Sequence, residues 1–143
     1  MMPTRKAHAN WKGTLEKGSG TLEVESGLFN NASYSAGTRF GDKKGTNPEE
    51  LIGAAHAGCF SMALSLVLGK HGYEPRNINT KAEVTIEQEP LAITNSALHV
   101  KAQVPGIELD AFNKIVKQAK EACPVSNALA GINITLDAQL IPE

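Results

Sequence analysis

Apolar and polar residues change rhythm several times along this chain, and each rhythm predicts an element. Residues 6–11 and 21–25 alternate, with Gly13 and the run Lys17-Gly18-Ser19-Gly20 supplying turn chemistry, so they predict paired strands. Residues 51–68 then contain no Asp, Glu, Lys or Arg and predict one long helix. Alternation returns over 79–88, where Ala82, Val84 and Ile86 share a face, and over 97–104, which predicts a second antiparallel pair. Phe112, Ile115, Val116, Ala119 and Ala122 recur at three- and four-residue spacing, the mark of an amphipathic helix with Asp110 as its cap and Lys114, Lys117 and Lys120 facing water. Ile132, Ile134, Leu136, Ala138 and Leu140 alternate into a final strand. This order predicts an α+β fold, one domain over residues 1–143, with predominantly antiparallel sheets.

The long helix carries the strongest start signal. Thr46 and Asn47 are N-cap residues, Pro48 suits the first helical position, and Glu49 and Glu50 favour the positive end of the helix dipole. Thr46 with Glu49 reads as a capping box. The run Gly69-Lys70-His71-Gly72 marks the end, giving a rod of ~33 Å at ~1.5 Å per residue. Interruption by Gly53, His56, Gly58, Ser61 and Ser65 favours a buried core helix over a membrane span. A helix apolar on nearly every side needs cover all round, which one small sheet does not provide. Gly53, Ala54, Ala55, Ala57 and Gly58 allow a second helix close, so a homodimer with these helices at its centre is expected.

Composition narrows the function. With 143 residues the chain can bury a core without staples. Fourteen basic against fifteen acidic residues give no electrostatic footprint for nucleic acid or an anionic membrane, and neither is expected as a partner. The first twenty residues lack the apolar run of a secretory signal, which points to the cytoplasm, where structural disulfides are rare. That directs attention to the two cysteines, Cys59 within the long helix and Cys123 at a helix end before Pro124. Sixty-four positions apart, they exclude a local CxxC motif.

General burial statistics make a helical cysteine a small apolar filler more often than a reactive group. Cys123 differs, because Pro124 ends one helix and residues 125–129 can begin another; a thiol at such a junction is expected to be exposed and acidified. His56, one turn before Cys59, raises a Cys/His acyl-transfer alternative, but no third orienting group or oxyanion donor accompanies it, so a satisfied core histidine is the better reading. His8, His56, His71 and His99 show no paired spacing with the cysteines, and no metal is expected. A non-enzymatic thiol sensor or ligand-binding module is a further alternative.

The run from Gly45 through Pro48-Glu49-Glu50-Leu51-Ile52-Gly53-Ala54-Ala55-His56-Ala57-Gly58-Cys59-Phe60 to Ser65 closely resembles the OsmC/Ohr family, specifically its osmotically inducible OsmC branch. Trp11, Glu25-Ser26-Gly27, Thr38-Arg39-Phe40, Pro105-Gly106-Ile107 and Ala122-Cys123-Pro124-Val125-Ser126 follow in the order of that family, so the resemblance covers essentially the whole chain. It implies an OsmC-like fold, with sheets wrapped around a central helix in an intertwined homodimer. It also implies a cytoplasmic, cysteine-based peroxidase of oxidative or osmotic stress defence, reducing organic hydroperoxides and, less efficiently, hydrogen peroxide. The resemblance makes Cys59 the peroxidatic thiol and Cys123 the resolving thiol, joined as a disulfide during turnover, with Arg39 and Glu49 as the polar pair beside the reactive sulfur. No cofactor is expected beyond an external dithiol reductant of lipoyl or thioredoxin type.

Physical chemistry gives those roles content. The attacking sulfur must be a thiolate, and an ordinary cysteine is mostly protonated at pH 7. A guanidinium stabilises that anion and the departing alkoxide, while a carboxylate that would oppose the thiolate can instead orient the guanidinium through a bidentate pair. Without the family pattern, Glu49 would read as a helix cap and Arg39 as a loop charge. Phe40, Phe60 and Met62 are candidates for an apolar mouth. Glu49 precedes Cys59 by ten residues, ~15 Å along a helix, so the two are expected to share a site only across a two-fold axis.

Overall fold

The computed structural model describes residues 2–143, which divide into two compact units between Leu51 and Ile52. In the first unit β1 (Ala7–Lys12), β2 (Ser19–Val24) and β3 (Ala32–Tyr34) form an antiparallel sheet in that order. Trp11 and Tyr34 flank Gly20 on the central strand, their ring centroids 5.3 Å apart. A Cβ on Gly20 would lie 2.5 Å from the Tyr34 ring and 2.8 Å from the Trp11 ring, so only glycine lets the two aromatics close over the sheet. Helix α1 (Ala36–Phe40) follows, with Ser35 and Thr38 bonding reciprocally as a capping box. Neither β3 nor α1 is evident in the hydrophobic pattern, because three and five residues are too few to show a period.

Helix α2 (Pro48–Lys70) is continuous and starts where the sequence places it, but with a different cap. Asn47 Oδ1 accepts from the Glu50 amide at 2.8 Å, while Thr46 Oγ1 donates to the Glu50 carboxylate at 2.8 Å. The expected Thr46–Glu49 capping box is thus replaced by Asn47, and Glu49 is released for another partner. By length and composition α2 could cross a membrane, its most apolar window having a mean hydropathy of 1.8. Its inner face instead packs into a protein core.

That core belongs to the second unit. Strands β4 (Asn77–Gln88) and β5 (Leu91–Gln103) form the predicted hairpin, and β6 (Asn133–Leu140) adds to β5 in parallel, giving the order β4-β5-β6. Phe60, Leu64 and Leu68 of α2 meet Leu98, Val100 and Ala102 of β5. Helix α3 (Leu109–Ala122) contributes Phe112, Ile115, Val116 and Ala119. Its cap position is Glu108, without a side-chain bond, so Asp110 lies in the first turn and does not cap. Helix α4 (Pro124–Ala128) follows at once.

The opposite face of α2 has no cover within its unit. Ala54, Ala55, Gly58, Met62, Ser65 and Leu66 are exposed, Met62 to 76% and Leu66 to 55%. Within the second unit this face of α2 is therefore left apolar and exposed.

Candidate active site

Cys59 lies on α2 and Cys123 at the joint between α3 and α4, and folding brings the two free thiols close enough to perturb each other's ionisation. Cys59 is half-buried and packs against the core. Cys123 is fully enclosed, contrary to the expectation of an exposed junction thiol, because the α3–α4 joint belongs to the core cluster that also holds Phe112, Val116 and Ala119. Of the two sulfurs, Cys59 is the one a solute can reach.

The joint also determines the local electrostatics. Pro124 takes the first position of α4 and makes Cys123 its N-cap, so Cys123 Sγ accepts from the Ser126 amide at 3.4 Å. Burial pushes the Cys123 thiol up, but the Ser126 hydroxyl and amide, Cys59 and the Val125 amide together hold it below the ordinary value. Burial is the largest influence on Cys59 and pushes that thiol up, opposed by the Val125 amide and reinforced by Cys123. More donors converge on the Cys123 sulfur than on that of Cys59.

His56 is a core histidine with both nitrogens satisfied. Nδ1 lies 2.7 Å from Ser96 Oγ on β5 and Nε2 lies 2.8 Å from Ser126 Oγ on α4. The ring is fully enclosed, and burial lowers its pKa, leaving it neutral at pH 7. It has no free nitrogen for Cys59, which removes the geometric basis of a Cys/His acyl-transfer pair. The sequence carries one signal for this pair: Ser96 leads the buried face of Leu98, Val100 and Ala102, where a polar side chain needs a buried partner.

In the first unit Arg39, on the last turn of α1, donates from Nε to Glu49 Oε1 at 2.8 Å. The pairing is monodentate where two bonds were expected. Glu49 is buried and its Oε2 has no partner among the described residues. The Arg39 guanidinium also lies 5.6 Å from the centre of the Phe40 ring, and its bond to Glu49 is made by Nε and not by a terminal nitrogen. Of the proposed apolar mouth, Phe40 is half-buried and Met62 exposed, but Phe60 is wholly inside the core and cannot line an entrance.

Among the described residues no group of three or more His, Cys, Asp or Glu side chains is placed to hold a metal ion.

Comparison with known proteins agrees with the site's composition. Residues 41–137 match the family model described as OsmC-like protein. The chain is 50% identical over 138 residues to the Peroxiredoxin OsmC of Escherichia coli (strain K12), covering 95% of this chain and 96% of that one. It is 33% identical over 94 residues to an Organic hydroperoxide resistance protein of Xanthomonas axonopodis pv. citri, covering 64% and 66%. A crystal structure of an organic hydroperoxide resistance protein OsmC from Legionella pneumophila superposes with a TM-score of 0.74 at 25% identity, covering 98% of this chain and 99% of that one. On the extent of the family match and of the identity to its relatives, this chain belongs to the OsmC-like protein family.

Proposed function

We propose that this protein is a thiol-dependent peroxidase that reduces organic hydroperoxides, with Cys59 as the peroxidatic and Cys123 as the resolving thiol. The observation that carries the reading is the juxtaposition of the chain's two free cysteines, one half-open and one enclosed, in a family whose relatives are named for peroxide chemistry. The Cys59 thiolate attacks the distal oxygen of ROOH; the O–O bond breaks, the alkoxide takes a proton and leaves as ROH, and Cys59 becomes a sulfenic acid. The Cys123 thiolate then attacks the Cys59 sulfur, the S–O bond breaks, and the hydroxyl leaves as water with one proton. A dithiol of lipoyl or thioredoxin type reduces the resulting disulfide and is itself oxidised to a disulfide, so no bound cofactor is called for.

Cys59 starts with its pKa raised, so it needs a cation that its own unit does not supply. Arg39, oriented by Glu49, fills that need in a homodimer. Glu49 and Cys59 are ten residues apart on one straight helix, ~15 Å along its axis. Two α2 helices running antiparallel across a two-fold axis would carry the helix start that holds the Arg39–Glu49 pair of each subunit toward the Cys59 of the other. The uncovered Met62 and Leu66 support that assembly, since apolar side chains that exposed call for cover. The cytoplasm, with its dithiol reductants, fits such a cycle.

The test is a thiol count after one equivalent of cumene hydroperoxide. Wild type is expected to lose both thiols, and Cys123→Ser to accumulate a Cys59 sulfenic acid. Two unreacted thiols in the native wild type would overturn the reading.

A further inference from the structure

A disulfide between Cys59 and Cys123 offers a reductant two sulfurs to attack, and the fold treats them unequally. Cys59, on α2, is half-buried and packs against the core cluster without belonging to it. Cys123 is a member of that cluster, with Phe112, Ile115, Val116 and Ala119, and its exposure is 0%. We propose that the reductant enters at Cys59 alone: its thiolate attacks the Cys59 sulfur, and Cys123 is the thiolate that leaves.

Disulfide exchange is a displacement along a line. The attacking, attacked and leaving sulfurs lie nearly collinear, so the nucleophile needs open space opposite the leaving group, and access decides which sulfur is attacked. Attack on Cys123 needs that space inside a close-packed core, where no void admits a thiol. Attack on Cys59 needs it beside a sulfur that is partly open. The hydroperoxide must reach the same sulfur first, so an assembly that admits ROOH to Cys59 also admits a thiolate to it. Cys123 is held in its enclosure from both sides of the chain: its amide donates to the Lys120 carbonyl at 3.4 Å, and its carbonyl accepts from the Asn127 amide at 3.1 Å. It is also equipped to leave, since the Ser126 amide, 3.4 Å from Sγ, is in place to donate to the thiolate when the S–S bond breaks.

The consequence for the proposed cycle, on which this inference rests, is a fixed order of events. The first thiolate of a dithiol bonds to Cys59 Sγ, the S–S bond breaks, and its electron pair goes to Cys123 Sγ. Two reactions then compete. The Cys123 thiolate can attack the Cys59 sulfur again and expel the reductant, restoring the first disulfide. Alternatively the second thiol of the reductant, once deprotonated, attacks the reductant's own sulfur; Cys59 leaves as a thiolate and the reductant departs as a disulfide. A monothiol has only the first fate until a second molecule arrives, which is the physical reason for a dithiol in this cycle.

The experiment forms the wild-type disulfide with diamide, adds glutathione, quenches samples in acid over time, alkylates free thiols under denaturing conditions and locates the glutathione by peptide mass spectrometry. It is expected on Cys59 over Cys123 by about tenfold or more, with the alkyl group on Cys123. Glutathione on Cys123, or on both alike, overturns the proposal. Back-attack by Cys123 can keep the mixed disulfide scarce, so a second measurement uses single-cysteine variants, in which no back-attack exists. Cys123→Ser and Cys59→Ser are each mixed with oxidised glutathione, with circular dichroism reporting folding. Cys59 is expected to take up glutathione about tenfold faster or more, and Cys123 to approach that rate only in urea. A folded Cys59→Ser that reacts as fast as Cys123→Ser overturns the proposal. Neither measurement uses peroxide, so failure of the peroxidase reading would show separately, as hydroperoxide left unconsumed by the wild type.

Discussion

Arg39 meets Glu49 through a single bond, Nε to Oε1 at 2.8 Å, and Glu49 is not the residue that caps its own helix. Asn47 does that, which frees the carboxylate to hold the guanidinium. Capping α2 and holding the guanidinium are thereby separable roles. Asn47→Ala is expected to cost ~1 kcal/mol in urea unfolding with little change in turnover. Glu49→Gln is expected to do the reverse, leaving stability within about 1 kcal/mol while lowering kcat/KM for cumene hydroperoxide by about tenfold or more. Arg39→Lys, which keeps the charge and loses the fork, is expected to resemble Glu49→Gln in the same assay.

Met62 is the test of what covers the outer face of α2. At 76% exposure it should tolerate a polar substitution if the chain works alone. If two α2 helices pack there, Met62→Asp places a charge in an apolar interface, and sedimentation is expected to show a monomer where the wild type is a dimer. Loss of activity in step with dimer dissociation is the expected companion result.

A composite site makes a sharper demand. In heterodimers with Cys59→Ser in one subunit and Glu49→Ala in the other, sites shared across the two-fold place both lesions at one centre and none at the other. Such heterodimers are expected to keep about half of wild-type activity per dimer. Sites confined to one subunit would carry one lesion each, and activity would fall to the level of the single variants.

How much of this was legible beforehand follows from the length scale of each feature. Helix α2 and strand β6 declare themselves because their patterns run for many residues, as does the amphipathic stripe from Phe112 to Ala119. The cap of α2 was misassigned because Thr46 and Asn47 are both good N-caps, and only three-dimensional geometry selects Asn47. Cys123 was expected at the surface since a helix–Pro–helix joint usually faces water; here the joint folds inward and the sulfur replaces a polar cap side chain. The Ser96–His56–Ser126 chain links positions 40 and 70 residues apart, a distance over which no spacing rule operates.

His56 also predicts how stability changes with pH. Burial depresses its folded pKa below the ordinary value of 6.5, so below that value the unfolded chain binds a proton that the folded one resists. The stabilising contribution is therefore present above about pH 6.5 and is lost as pH falls toward the folded pKa. Thermal midpoints are expected to fall between pH 7 and pH 5, and His56→Gln, which cannot take up the proton, is expected to flatten that decline. A wild type and variant with parallel profiles over this range would show that other groups carry the acid sensitivity. A divergence confined to the region below about pH 6.5 would assign it to the ring held between Ser96 and Ser126.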